Sequence, residues 1–547
     1  MSGIEHALAL LLVVTGASVV SRWIPWPRPI VYLLAGLGVA WLPFFPQVEL
    51  DPNFFFLCFL PPLLFLDGWM MPLREFAKAK GQILLLATGL VAFTIVGVGL
   101  ATHWLIPTMP LAMAFALGAV VSPTDAVAVA AVTERLALPT RLRIVLNGES
   151  LLNDATGLVA FKFAIAAMVA GSFSVTGVAG SFLFVAAGGL GIGLAVAYGI
   201  GRVRDVLRGD DHADPLIETT LSLLTPFAAY LAANAAGTSG IMAVAAAGLY
   251  SGGRDPVRTD AQTRANMWNV WNTVAFWLNG LAFVLLGLQL PRVIEEVRGH
   301  YSDLQLASYM AVVALLTMGL RLLWVFPATF LPYAVSRRVR TTDERPSWRA
   351  VFVGGWAGMR GTVTLAAALS IPHTLPGGEA FPARHMVIFL ASGVVVATLL
   401  VQGTTMEWLI RRLGLREDGT REREDRLARA TAVEAGLKIL RAAESPMLRA
   451  EESAALRQVI AEYEQRLSEL GSAGETRDNA RERREAERRF RCNALEAERA
   501  AIDRLWRENV IDDEVHRPLQ QLLDHEEAML VGRRGTETRT GGAAERT

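Results

Sequence analysis

The sequence is poor in cysteine and in charge. Only two of its 547 residues are cysteine, Cys58 inside an apolar run and Cys492 inside a charged one, so neither a disulfide framework nor a cysteine metal site can be drawn. Charged residues make up 19%, against roughly 25% in a soluble domain. With hydrophobic residues at 52%, a single soluble globule is excluded. Neither sign of charge is in excess, 52 Lys plus Arg facing 52 Asp plus Glu, which removes the basic surplus of a nucleic-acid binder. The eight histidines are scattered, and the chain has neither His-Glu-x-x-His nor Gly-x-Gly-Asp. An intramembrane enzyme is therefore not expected. Nor is a cleaved leader, because the first apolar run carries Glu5 and His6 in place of a positive n-region.

What the chain does have is long apolar runs. Segments able to cross about 30 Å of hydrocarbon lie near residues 4–20, 30–46, 52–70, 82–102, 110–132, 144–170, 176–200, 216–234, 238–251, 268–290, 305–333, 350–372 and 385–410. The reading is an all-α polytopic membrane protein with about thirteen spans. Loops after odd-numbered spans hold nineteen basic residues, among them Arg22, Arg74, Arg135, Arg204, Arg258 and Arg337. Loops after even-numbered spans hold only Arg292, Arg298 and Arg384. The positive-inside rule then puts the N-terminus outside and the C-terminus in the cytoplasm. The division predicted is a transmembrane domain over 1–410 and a charged helical tail over 411–547. In the tail, helices break near Ser445-Pro446 and Gly471-Ser472, Leu437, Ile439, Leu440, Leu495, Ile502, Leu505 and Trp506 mark apolar faces, and Gly541–Thr547 reads as disordered. The tail reads equally as a regulatory or assembly element and as a solvated charged helix.

Charge at bilayer depth costs about 2.5 to 3.5 kcal/mol on insertion scales, so each instance needs a reason. Pro123, in Ser122-Pro123-Thr124-Asp125, removes a helical hydrogen bond and breaks span five. The freed N-terminus of the second half-helix is positively polarised, and Asp125 can neutralise it. Span six carries Gly148-Glu149-Ser150-Leu151-Leu152-Asn153-Asp154, with Ser150 and Asp154 on one face and Glu149 and Asn153 on another. Asp154 lies about ten residues in, roughly 15 Å, which is the midplane. Ser150, Asn153 and Asp154 together offer oxygen ligands for a hard cation. Span twelve is glycine-dense through Gly354–Gly361 and holds Arg360 at similar depth. Two interrupted spans of opposite direction in corresponding places are the pattern of an inverted repeat. Arg321 in span eleven requires an acidic partner, Glu149 first and Asp67 second. Asp67 either lines an access funnel or snorkels, and Lys162 snorkels near the outer end of span six.

Ser122-Pro123-Thr124-Asp125, Gly148 to Asp154, Gly358-Met359-Arg360-Gly361 and Pro61-Pro62 ahead of Asp67 resemble the cation:proton antiporter-1 family, in particular its bacterial sodium/proton exchangers. The resemblance covers spans three to thirteen, and the charged tail is similar to that of the bacterial subgroup. It implies a homodimer in the bacterial cytoplasmic membrane, each protomer combining a dimerisation part with a six-helix core in which the two broken helices cross. By the same resemblance Asp154 carries the ion and the proton, with Ser150, the Thr124 carbonyl, Asp125 and, at a further remove, Asn153 and Asp67 completing or hydrating a sodium site. Glu149 pairs with Arg321, Arg360 compensates helix ends, and Asn153-Asp154 in place of two aspartates resembles the electroneutral exchangers. No cofactor is implied beyond the transported sodium or lithium and the proton.

One carboxylate that binds a cation or a proton, never both, couples the two by competition. A single such group suggests exchange of one cation for one proton, on which membrane potential has no direct leverage. The rival readings are a potassium/proton antiporter, since ligand type does not fix ion radius, and a sodium-coupled solute symporter, for which no groups to read an organic substrate stand out.

Overall fold

The computed structural model describes residues 3–24, 26–42, 51–133, 138–170, 175–208, 214–299, 301–335, 346–415, 420–444, 449–471, 475–508, 510–512 and, with short gaps, 515–530. It divides into two units, Met1–Arg416 and Glu417–Thr547. Among the described residues the chain is helical, with one isolated bridge between Thr374 and Ala380.

The first unit contains α1 (Gly3–Val20), α2 (Arg28–Ala40), α3 (Pro52–Cys58) and α4 (Leu60–Trp69). Next come α5 (Leu73–Leu105), with a π-helical turn at Leu85–Leu90, and α6 (Leu111–Val121) and α7 (Ala126–Thr133). They are followed by α8 (Thr140–Ala170), α9 (Val175–Arg208), α10 (Pro215–Ala235), α11 (Gly240–Arg258), α12 (Ala261–Arg298) and α13 (Asp303–Val335). The unit closes with α14 (Trp348–Trp356), α15 (Thr362–Leu369) and α16 (Arg384–Leu413). Over its described residues each predicted run overlaps a helix or a pair of short ones, the end of run 30–46 lying outside the described residues. Among the described residues eight helical segments are long and apolar enough to cross a membrane, and α6 with α7, bent by 41°, make a ninth. Of the remainder, α1 and α2 are apolar but short. The α11 helix carries Arg254, Asp255 and Arg258 in its last turns, and α14 and α15 are each too short to cross alone.

Helices outrun the apolar stretches that announced them, so several residues counted as loop charges are helical. Arg74, Lys78 and Lys80 lie on the amphipathic start of α5, and Arg202, Arg204 and Arg208 end α9. The α5 helix begins nine residues before the predicted edge of span four. Among the loop residues, Arg135 and Arg337 lie outside the described residues, as do the 445–448 break, the residues after Gly471 and the Gly541–Thr547 end.

Packing sorts the first unit into two bundles. The α1, α2, α4, α9, α10, α11 and α12 helices pack mainly with one another, and α5 to α8 with α13 to α16. Backbones approach closely where glycine replaces a side chain. A Cβ on Gly248 would stand 2.5 Å from the Phe65 carbonyl oxygen, one on Gly68 3.0 Å from that of Ala245, and one on Gly252 would fall on that of Trp69. The α4 and α11 helices therefore meet along a seam without side chains between them.

The second unit comprises α17 (Thr420–Ala442), α18 (Ala450–Gly471) and α19 (Glu475–Arg507), with a further helical turn from Val515. Leu437 and Leu495 are buried there, whereas Ile439 is 73% exposed, so the apolar marks on the tail are only partly covered. Asp503 accepts from His516 Nε2 at 2.9 Å and Gln520 Nε2 at 3.0 Å, and the His516 ring stacks on Trp506.

Candidate ion-exchange site

The two broken helices touch at their breaks. Beyond Val121 the chain passes through Ser122, Pro123, Thr124 and Asp125 before helix resumes, and beyond Trp356 it is non-helical through Gly361. Asp125 N donates to Met359 O at 2.8 Å, tying one break to the other. Asp125 also caps α7, its Oδ1 accepting from Val127 N at 2.8 Å and Ala128 N at 3.1 Å. Its other oxygen lies against Gly361, where a Cβ would overlap the carboxylate. Arg360, 1% exposed, sends Nε to Val121 O at 2.9 Å and Nη1 to Gly358 O, while its backbone N donates to Thr398 Oγ1 at 3.1 Å.

The α8 helix runs past this crossing with its polar turn facing it. Pro123 lies against Gly157, whose Cβ would stand 2.6 Å from the proline ring. Ser150 Oγ donates to Thr124 O at 2.6 Å and accepts from Ala126 N at 3.0 Å, satisfying a carbonyl and an amide that the break leaves free. Asn153 Nδ2 donates to Thr124 Oγ1 at 2.8 Å, and Thr124 Oγ1 donates to Glu149 Oε1 at 3.3 Å. Glu149 and Arg321 form a bidentate ion pair, one arm Nη2 to Oε2 at 2.9 Å and the other Nη1 to Oε1. Both side chains are within 1% of full burial. Arg321 Nη2 also reaches Gly354 O at 3.2 Å, joining α8, α13 and α14.

Two residues expected as ligands, Ser150 and the Thr124 carbonyl, are thus bonded to each other. Oxygen capacity remains on Asp154, on the second Asp125 oxygen, on the spare lone pair of Thr124 O and on Asn153 Oδ1, which is buried without a partner. Asp154 is 7% exposed, and among the described residues no donor reaches its carboxylate. Asp67, half-buried on α4, comes from the opposite bundle, and the Asp67, Asp125 and Asp154 carboxylates lie within electrostatic range of one another. Lys162 is exposed on α8, away from this cluster. Among the described residues no group of three His, Cys, Asp or Glu side chains forms a multidentate metal cage. The oxygens gathered here are ligands of the type a hard cation takes.

A second polar cluster escaped the sequence reading. Arg204, counted as a loop charge, is buried, with Nε 2.6 Å from Glu218 Oε2 and Nη1 2.8 Å from Asp255 Oδ1. The available signal was Glu218, an acidic residue inside predicted span eight.

Two broken helices crossing beside a buried, unpaired carboxylate define the class: a secondary transporter, not an enzyme. The profile described as sodium/hydrogen exchanger, transmembrane, matches residues 8–412. The chain is 37% identical over 528 residues to the sodium, potassium, lithium and rubidium/proton antiporter of Bacillus pumilus, covering 96% of this chain and 77% of that one. It is 35% identical over 542 residues to the Na(+)/H(+) exchanger YjcE of Escherichia coli, covering 96% and 98%. The structure of the sodium proton antiporter MjNhaP1 from Methanocaldococcus jannaschii superposes with a TM-score of 0.59 at 19% identity, over 75% of this chain and 98% of that one, and shares the fold. The chain belongs to the sodium/hydrogen exchanger family and is a monovalent cation:proton antiporter.

Proposed function

We propose that Asp154 is the shared carrier, binding sodium or lithium in one half-cycle and a proton in the other, with one cation exchanged per proton. The observation that carries this is the state of its carboxylate: buried beside the crossing and without a donor, while Glu149 is spent on Arg321 and half of Asp125 on the α7 cap. Such a group competes for cation and proton because either one neutralises it. Asp125, Asn153 Oδ1 and Thr124 O complete the cation's oxygen shell, Ser150 and Pro123 shape the break that presents them, and Asp67 faces them from the other bundle. The bundle containing Asp154 is the moving core, and the bundle containing α4 and α9 to α12 is the part through which two protomers pair. Residues 1–410 then form the membrane domain and 411–547 a cytoplasmic tail, with the N-terminus outside a bacterial inner membrane.

The Bacillus pumilus relative carries potassium and rubidium in its name as well. That favours a second reading in which this site also accepts potassium. One experiment tests both: proteoliposomes with an internal pH dye, driven by sodium, lithium or potassium, with and without an imposed voltage. Sodium-driven proton flux insensitive to voltage is expected. A flux that scales with voltage overturns one-for-one exchange, and potassium flux equal to sodium flux selects the broader reading.

A further inference from the structure

The buried cluster around Arg204 lies outside the exchange site, yet it grips the helix that brings Asp67 to it. Asp67 and Trp69 are two residues apart on α4, about 200° around the helix. The side of α4 that carries Phe65, Gly68 and Trp69 is pressed onto α11 along the glycine seam, so Asp67 is turned away from α11, and α4 also borders α8. At the end of the seam Trp69 Nε1 donates to Asp255 Oδ2 at 3.1 Å, and the indole packs edge-on against Trp268 of α12, 5.6 Å between centroids. Asp255 is held in turn by Arg204, Arg204 by Glu218, and Glu218 by Arg208 Nη2 at 2.8 Å. Two arginines and two carboxylates balance, and the chain of bonds spans α4, α9, α10 and α11.

Buried ionic networks stabilise little compared with well-packed apolar side chains of the same volume. What this one supplies is direction: hydrogen bonds fix the rotation and height of a helix end more narrowly than apolar contact does. Along the seam the contacts are backbone against glycine, and the Trp69 to Asp255 bond is the directional contact at its end. We infer that Trp69, held by Asp255 with Arg204 and Glu218 behind it, is a positioning residue that fixes the register of α4 and so sets how closely Asp67 faces the cation at Asp154. This rests on the reading of Asp67 as a wall of the cation site.

The test is a cycle of Trp69→Phe, which removes the indole N–H together with part of the ring while keeping an aromatic side chain, with Asp67→Asn, all in the full chain reconstituted in proteoliposomes. Trp69→Phe is expected to raise the sodium KM about threefold to tenfold with Vmax per folded transporter nearly unchanged. In the Asp67→Asn background it should raise KM no further, since the wall it positions has lost its charge. A merely structural role would lower folded yield or Vmax and leave KM where it was. An equal rise in KM on both backgrounds overturns the inference, because Trp69 would then act independently of Asp67. If Asp67→Asn alone leaves KM unchanged, the reading of Asp67 fails; if it raises KM and Trp69→Phe does not, only the positioning role fails. Arg204→Lys is the second variant should Trp69→Phe fold poorly. It keeps the charge balance but its single ammonium loses the fork that holds Glu218 and Asp255 together, and it should reproduce the KM rise on the wild-type background only.

Discussion

Removing one half of the Glu149–Arg321 pair is the sharpest perturbation available. In Glu149→Leu, Arg321 keeps the Gly354 carbonyl but loses both charged contacts in a fully buried setting, and its Nε already has no partner. Breaking a buried pair of this kind costs about 3 to 5 kcal/mol. Arg321→Met strands the carboxylate instead, leaving it only the Thr124 hydroxyl at 3.3 Å and the Asn153 amide at 3.5 Å, for a loss of the same order. The double change Glu149→Leu with Arg321→Met removes both charges. What remains lost is an acceptor for Thr124 and Asn153, about 1 to 3 kcal/mol for a buried group left unsatisfied. The singles therefore sum to about 6 to 10 kcal/mol and the double to about 1 to 3 kcal/mol. Thermal denaturation of the solubilised protein, followed by the fraction that stays monodisperse, should rank the double variant above either single. A double variant as unstable as the sum of the singles refutes the coupling.

Asp154→Asn should abolish sodium-driven proton flux while the protein still folds, because an isosteric polar side chain replaces a carboxylate that no donor reaches among the described residues; robust flux in this variant would sink the carrier assignment. The sodium KM should rise about tenfold per pH unit below the site's pKa, with Vmax changing far less, and a tail acting as a separate pH sensor would switch Vmax at constant KM; comparing the full chain with one ending at Gly414 from pH 6 to 9 separates the two. Gly361→Ala should eliminate transport, since the new methyl overlaps the Asp125 carboxylate, and wild-type rates would show that the crossing opens without cost. In the tail, His516 holds the Asp503 carboxyl below its ordinary range. A lowered folded value makes the contribution present above the unfolded value of about 4 and lost as pH falls through the folded one, so amide exchange across α19 should loosen at acidic pH in wild type and much less in Asp503→Asn.

The broken helices were legible because their causes are local: Pro123 in one span and the four glycines from Gly354 to Gly361 in the other. The Glu149–Arg321 pair was legible because two opposite charges at equal depth in membrane have few alternatives. Arg204 was not. Counting charges at the ends of apolar runs assigns every arginine there to solvent, and its partners Glu218 and Asp255 are 14 and 51 residues away. The bond between Ser150 and Thr124 O was equally hidden. Sequence gives two oxygens on neighbouring helices and not whether they face a cation or each other, which depends on the angle at which α8 passes the break.

The contacts of Arg360 and Asp125 have an electrical consequence. Each helix end carries about half an elementary charge, negative at a C-terminus and positive at an N-terminus. The C-terminal ends of α6 and α14 meet at Arg360, so about minus one faces plus one. The N-terminal ends of α7 and α15 meet at Asp125, so about plus one faces minus one. Glu149 and Arg321 cancel. The crossing is then an electrically blank frame, and beside it the Asp154 carboxylate is left over. If Asp154 is the carrier proposed above, the crossing sums to minus one when bare and to zero with either cargo aboard, so its passage across apolar surroundings carries a charging cost only when bare.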